Sequence, residues 1–159
     1  MAARQTISID QVSARIESML DLPDQALAAA ALERTDELLA LGEAVLEAWL
    51  IARGAKPTES KIESFRLLAL HRQGARGDPS FNACRESCRE LVYHHNLVRL
   101  EPAHPDVALR LRLGAMVARH LALFIGGKLE VAGLGEFCCS SRPLRARRGE
   151  ATPDTATTA

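Results

Sequence analysis

Large aromatic rings are scarce in this sequence, with one Trp, one Tyr and four Phe among 159 residues. A core so poor in rings has to be built from Leu, Ala, Val and Ile, which suits helices packed closely on helices. Excess charge is also missing: 20 Lys and Arg stand against 20 Asp and Glu, for a formal net charge of zero. Proteins whose main work is gripping nucleic acid carry a basic surplus, because phosphate neutralisation supplies most of their affinity. Nucleic acid is therefore not the expected partner.

Long apolar runs are absent too. The most apolar stretch, Leu113 to Ile125, has Arg119 and His120 near its middle and falls short of the roughly 20 residues of a spanning helix. The opening MAARQTISIDQV shows no long apolar run after Arg4, so no secretory signal is expected. There is no GxxxxGK[ST], and no GxGxxG after a strand pattern; Gly126-Gly127, Gly133 and Gly135 do not make a phosphate loop. No Ser/His/Asp order or carboxylate pair can be singled out as catalytic, and no fixed-period repeat points to a solenoid.

What is present is helical punctuation. With 47 % apolar and 25 % charged residues the composition is that of a folded chain. The length is that of one ordinary domain with a core of its own. The first helix is expected over Ile9 to Leu20, with Ser8 and Gln11 forming a capping box. Ile9, Val12, Ile16, Met19 and Leu20 recur on one of its faces.

A second, long or kinked helix is predicted from Pro23 to Arg53, stopped at Gly54, with Leu27, Ala31, Leu38, Leu41, Val45 and Trp49 as its stripe. Thr35-Asp36 offers a place to split it in two. The third helix starts at a Thr58 or Ser60 cap and ends near Gln73, before Gly74. Ile62, Phe65, Leu68 and Ala69 form its core face, widened by Leu67, Leu70 and His71.

Asp78-Pro79 opens a fourth helix that runs to about Leu97. In it Phe81, Cys84, Cys88, Leu91, His95 and Val98 step by 3, 4, 3, 4 and 3 residues, a two-per-heptad seam. Arg85, Glu86, Arg89 and Glu90 fall on the solvent side. A fifth helix, Asp106 to Ile125, is apolar nearly all round, which marks a central helix covered by its neighbours, and Gly126-Gly127 should stop it. Lys128 to Phe137 reads as an extended arm or short strand. The whole is an all-α bundle of about five helices, one domain over 1–139, with a basic then polar disordered tail over 140–159.

Chemistry concentrates on the fourth helix. Offsets of four and eleven residues bring Cys84, Cys88 and His95 within roughly 40° of one another at about 100° per residue. Two thiolates and an imidazole are a soft, partial ligand set for zinc, copper(I) or an iron–sulfur cluster. His71, His94, Cys138 or Cys139 would supply the fourth ligand. The competing reading is packing alone. These positions are the core seam, an unpaired cysteine behaves as a small hydrophobe, and Cys-x₃-Cys within a helix is not the usual zinc spacing. A Cys84–Cys88 disulfide is not expected inside a regular helix.

His71 and His120 are expected as hydrogen-bonded core histidines, and His94 as a helix-terminal imidazole favoured by the dipole. Cys138-Cys139 should be the more exposed thiols, with reactivity depending on a lowered pKa. The four arginines from Arg142 to Arg148 are read as a solvated tail.

These readings predict a small cytoplasmic accessory or regulatory protein, non-enzymatic and without a cofactor, that acts through protein–protein contacts. Its partner is another protein or a further copy of the chain. The alternative is a metal- or redox-handling protein using Cys84, Cys88 and His95 on zinc or another soft transition metal.

Overall fold

The first helix, α1 (Ile9–Leu20), begins where the sequence marks it: the Ser8 hydroxyl accepts from the Gln11 amide at 3.2 Å, and the Gln11 side chain accepts from the Ser8 amide at 2.8 Å. Together these satisfy two of the amide donors that open any helix. The structure is a computed structural model, and it describes residues 6–134. The five residues before these and the whole of 135–159, including Cys138, Cys139 and the expected tail, lie outside the described residues.

After α1 come α2 (Asp24–Ala29), α3 (Ala31–Ala52), α4 (Arg66–Ala75), a 3₁₀ turn (Pro79–Cys84), α5 (Arg85–Leu100) and α6 (Val107–Ala132). All six are packed helices, and no strand is present among the described residues. The predicted stripe of Leu27, Ala31, Leu38, Leu41, Val45 and Trp49 is buried throughout. Nothing in the described residues is long and apolar enough to cross a membrane.

Four expected boundaries move, each for a local reason. The long helix from Pro23 breaks into α2 and α3 at Ala30, which leaves the helical region (φ −123°, ψ 37°). The break lies five residues before Thr35, which is itself buried. The α1–α2 turn is held from α6, where the Arg112 guanidinium donates to the Leu20 carbonyl (2.8 Å), the Leu22 carbonyl (2.6 Å) and the Asp24 carboxylate (2.8 Å).

The third predicted helix starts later than Thr58 or Ser60. Residues 55–65 instead form a loop pinned by tertiary bonds: Arg66 donates to the Thr58 carbonyl (2.8 Å), while Gln73 donates to Lys56 O and accepts from Thr58 N, both at 2.8 Å. The buried Arg66 also meets the Glu47 carboxylate, with Glu59 at 3.3 Å and Glu43 at 3.5 Å. Burial works against its charge, but the Glu47 hydrogen bond and the surrounding carboxylates outweigh that and hold the guanidinium protonated.

The fourth predicted helix is a 3₁₀ turn followed by α5, so Cys84 is the last residue of the turn and the helix proper starts at Arg85. Gly126-Gly127 does not stop the last helix. It continues through the segment read as an arm to Ala132 and ends at Gly133, whose φ of 66° is the left-handed conformation glycine adopts without strain.

The other correction concerns what covers α6. It packs on α1, α2, α3 and α5, with Leu111, Ala115, Ala118, Leu121, Ala122 and Ile125 essentially without solvent contact. Its opposite face is open. Leu109, Leu113, Met116, Leu123 and Val131 are all exposed, Leu123 by 67 % and Val131 by 92 %, and His120 on the same face is exposed rather than in the core.

Candidate functional site

Two arrangements stand out, a buried thiol–imidazole cluster under the 3₁₀ turn and the open face of α6. The cluster is built around the backbone carbonyl of Phe81. His71, on α4, donates its Nε2–H to that oxygen at 2.9 Å, and the Cys84 thiol donates to the same oxygen at 3.1 Å. The Phe81 ring lies fully buried between His71 (centroids 5.4 Å apart) and Trp49 (5.9 Å).

This approach requires Gly74. A Cβ there would come within 2.5 Å of the Phe81 ring, so the glycine read as a helix stop is a contact residue inside the last turn of α4. From α6, Lys128 clamps the turn, reaching Ser80 Oγ at 2.7 Å and Asp78 Oδ2 at 3.1 Å while its ammonium lies 4.9 Å from the Trp49 ring centre. Lys128 had no sequence signal, because it was placed in an irregular arm.

Cys84 and Cys88 are free thiols and almost wholly buried. The Cys88 thiol beside it draws the Cys84 pKa below that of a free thiol, against the opposing effect of burial, and His71 adds to the shift. Cys88 is pushed far up by Cys84 and by burial. Burial disfavours a charged His71, but its hydrogen bonds to Cys84 and the Phe81 carbonyl prevail and raise its pKa, while nearby Arg85 opposes them.

The structure thus groups Cys84, Cys88 and His71. It does not bring His95 to them. The His95 Nε2 is engaged with Asp36 at 3.1 Å, and its ring meets Phe65 edge-on at 5.7 Å. Cys88 and His95 share one face of α5, but the seven-residue offset between them puts His95 about 10 Å further along the axis, too far to share a metal, and the 3₁₀ turn takes Cys84 out of that helix altogether. His94 lies inside α5 rather than at its end, and burial lowers its pKa and favours the neutral ring. Among the described residues no group of three or more His, Cys, Asp or Glu side chains is placed to hold a metal ion.

If these thiols serve packing, Cys84→Ala or Cys88→Ala should cost about 1–2 kcal/mol, the scale of a modest large-to-small core change. The serine variants should cost more, because a hydroxyl then sits in an apolar seam. Chemical denaturation with elemental analysis of the same samples checks this. About one soft metal per chain, lost on substitution of either cysteine or of His71, would overturn it.

Outside His71 the surface opens into a cavity of about 280 Å³ bordered by Leu68, Asn82 and three arginines, Arg72, Arg85 and Arg89. In the sequence Arg85 and Arg89 read as a solvated helix face. Only the return of α4 against the 3₁₀ turn puts Arg72 beside them.

On α6 the exposed residues Leu109, Leu113, Met116, His120, Leu123 and Val131 fall within an arc of about 80° at 100° per residue, opposite the buried row. The strip is about 33 Å long at 1.5 Å per residue. Its rims are charged but neutralised within the chain: Arg110 faces Glu101 (3.8 Å), Arg112 faces Asp24 (2.8 Å) and Arg119 faces Glu17 (3.1 Å).

No family model, no curated protein and no solved structure matches this chain.

Proposed function

We propose that this protein is a non-enzymatic accessory or regulatory protein that acts through protein–protein contacts. Its contact surface is the outer face of α6, and the occupant is the same face of a second copy. One observation carries the reading. The last helix, α6, leaves Leu109, Leu113, Met116, Leu123 and Val131 in water along a single strip, and an exposed strip of this kind marks an interaction surface rather than scattered surface leucines.

The choice of a second copy rests on charge, area and symmetry. Each rim arginine already has its carboxylate, so two identical strips meet without like-charge repulsion. Two strips about 33 Å long and about 10 Å wide hide about 660 Å² between them, the size of a weak contact that forms and breaks with concentration. A two-fold axis through one patch is the commonest way identical chains associate. An antiparallel pair also opposes the two helix macrodipoles. The reading includes a reducing compartment such as the cytoplasm, where the two buried thiols stay free.

Sedimentation velocity over a range of concentrations tests this. The wild-type chain should pass from monomer to dimer. Leu113→Glu combined with Leu123→Glu should weaken association by about 100-fold or more, since each carboxylate must be dehydrated in an apolar contact. Both side chains are already exposed, so the melting temperature should not move at dilutions where the wild type is itself monomeric. A wild-type protein that stays monomeric at every concentration, or a dimer indifferent to both substitutions, would contradict the proposal. A metal- or redox-handling role is the second reading. It is supported by the lowered pKa of Cys84 beside Cys88 and His71.

A further inference from the structure

The geometry points to a binding site for a phosphate oxyanion, free or as a small phosphomonoester, in the cavity lined by Arg72, Arg85 and Arg89. Charge balance elsewhere on the surface makes this cavity distinctive. Most described arginines sit on a carboxylate, among them Arg15, Arg66, Arg99 and Arg119. Arg72 and Arg85 have no acidic partner among the described residues, and both border the same hollow. Arg89, the third, is paired at 3.6 Å with Glu63.

Three guanidiniums and one carboxylate leave a surplus of about two positive charges, the complement of a phosphate dianion. Guanidinium forks match phosphate oxygens in pairs, which a point-charge ammonium cannot do. Asn82 adds a neutral amide to the lining, and Leu68 supplies an apolar wall. The volume of about 280 Å³ is at the small end of ligand pockets, enough for a phosphate and a short organic remainder but not for a dinucleotide.

His71 connects the hollow to the buried cluster. It borders the cavity while its Nε2–H is committed to the Phe81 carbonyl, and Arg85 sets a positive charge against it. An anion held by Arg85 screens that charge, so occupancy should register at a ring that is itself nearly buried.

The test is a titration with inorganic phosphate at constant ionic strength, chloride making up the balance, followed by NMR of the arginine Nε–H and His71 ring signals. Saturating shifts at Arg72, Arg85 and His71 are expected. Arg85→Gln or Arg72→Gln should raise the apparent Kd about tenfold or more, whereas Arg15→Gln, on the Arg15–Glu37 pair, should leave it unchanged. All three side chains are exposed, so the variants keep the fold. A parallel titration with glycerol phosphate separates the two sources. Tighter binding than inorganic phosphate assigns the site to a phosphomonoester, and equal binding assigns it to free phosphate. Shifts that never saturate, or that weaken equally in Arg85→Gln and Arg15→Gln, mean general charge screening and overturn the site.

Discussion

Phe81→Ala should lower folding stability by about 3–5 kcal/mol, the range for removing a fully buried ring from a close-packed core. The ring is the meeting point of three elements: it lies between Trp49 of α3 and His71 of α4, and Gly74 is bare to admit it. Its loss leaves a hollow that the short 3₁₀ turn cannot close without releasing the hydrogen bonds His71 and Cys84 make to the Phe81 carbonyl. Gly74→Ala should be felt at the same place, at about 1–3 kcal/mol, because a methyl group is forced against a ring that cannot yield. Urea denaturation of both variants measures these costs. A loss below about 1 kcal/mol for Phe81→Ala would mean that the turn is not anchored by this side chain.

Arg66→Ala should cost about 3 kcal/mol, since it withdraws the cation from a largely buried charge cluster. The side chain is 9 % exposed and is met by Glu47, Glu43 and Glu59 together with the Thr58 carbonyl. Most of the cost belongs to Glu47 and Thr58, because Glu59 is 73 % exposed and an exposed pair is worth little. Arg66→Lys should recover only part of it, as an ammonium cannot serve the carbonyl and the carboxylates in one plane. Denaturation midpoints of the two variants decide the matter, and an Arg66→Lys protein as stable as wild type would contradict the planar-fork account.

The parts of the fold legible in the sequence are those decided within a few residues. The Ser8–Gln11 box sets the start of α1, and the left-handed Gly54 follows the end of α3 as expected. Helical periodicity likewise identifies the buried stripe of α2 and α3. The illegible parts are set from a distance. No proline or glycine marks the break at Ala30, which follows a turn gripped by Arg112 some 80 residues further along. The start of α4 is delayed by bonds from Arg66 and Gln73 back to the preceding loop. Gly126-Gly127 looked like a stop, yet glycine inside a helix costs only about 1 kcal/mol each, and packing on the bundle outweighs that.

The candidate site divides in the same way. Cys84 and Cys88 were readable as buried positions on one seam, and His71 as a hydrogen-bonded core histidine. His95 was misplaced because a shared helical face says nothing of distance along the axis: seven residues of rise carry it about 10 Å beyond Cys88 in α5. The arginine cavity had no signal, since Arg72 and Arg85 meet only through the return of the chain. The open strip on α6 was hidden by an ambiguity of pattern: a helix apolar all round reads the same whether its last face is covered by its own chain or left for another.

The most direct measurement of the α6 contact is the distance between spin labels on two copies of the chain. His120 lies at the middle of the strip that runs from Leu109 to Val131. Labels are placed at His120→Cys or at Val131→Cys in a background carrying Cys138→Ser and Cys139→Ser, where the remaining thiols, Cys84 and Cys88, are buried. In an antiparallel pair with helix axes about 8–10 Å apart, the two labels at 120 face each other across the symmetry axis and should give a single short distance. Those at 131 lie eleven residues from the symmetry axis on each copy and should be about 33 Å apart along the helix direction. A short distance at 120 with a long one at 131 is the predicted result. No dipolar coupling at 120 under conditions where the protein sediments as a dimer would show that some other face joins the copies.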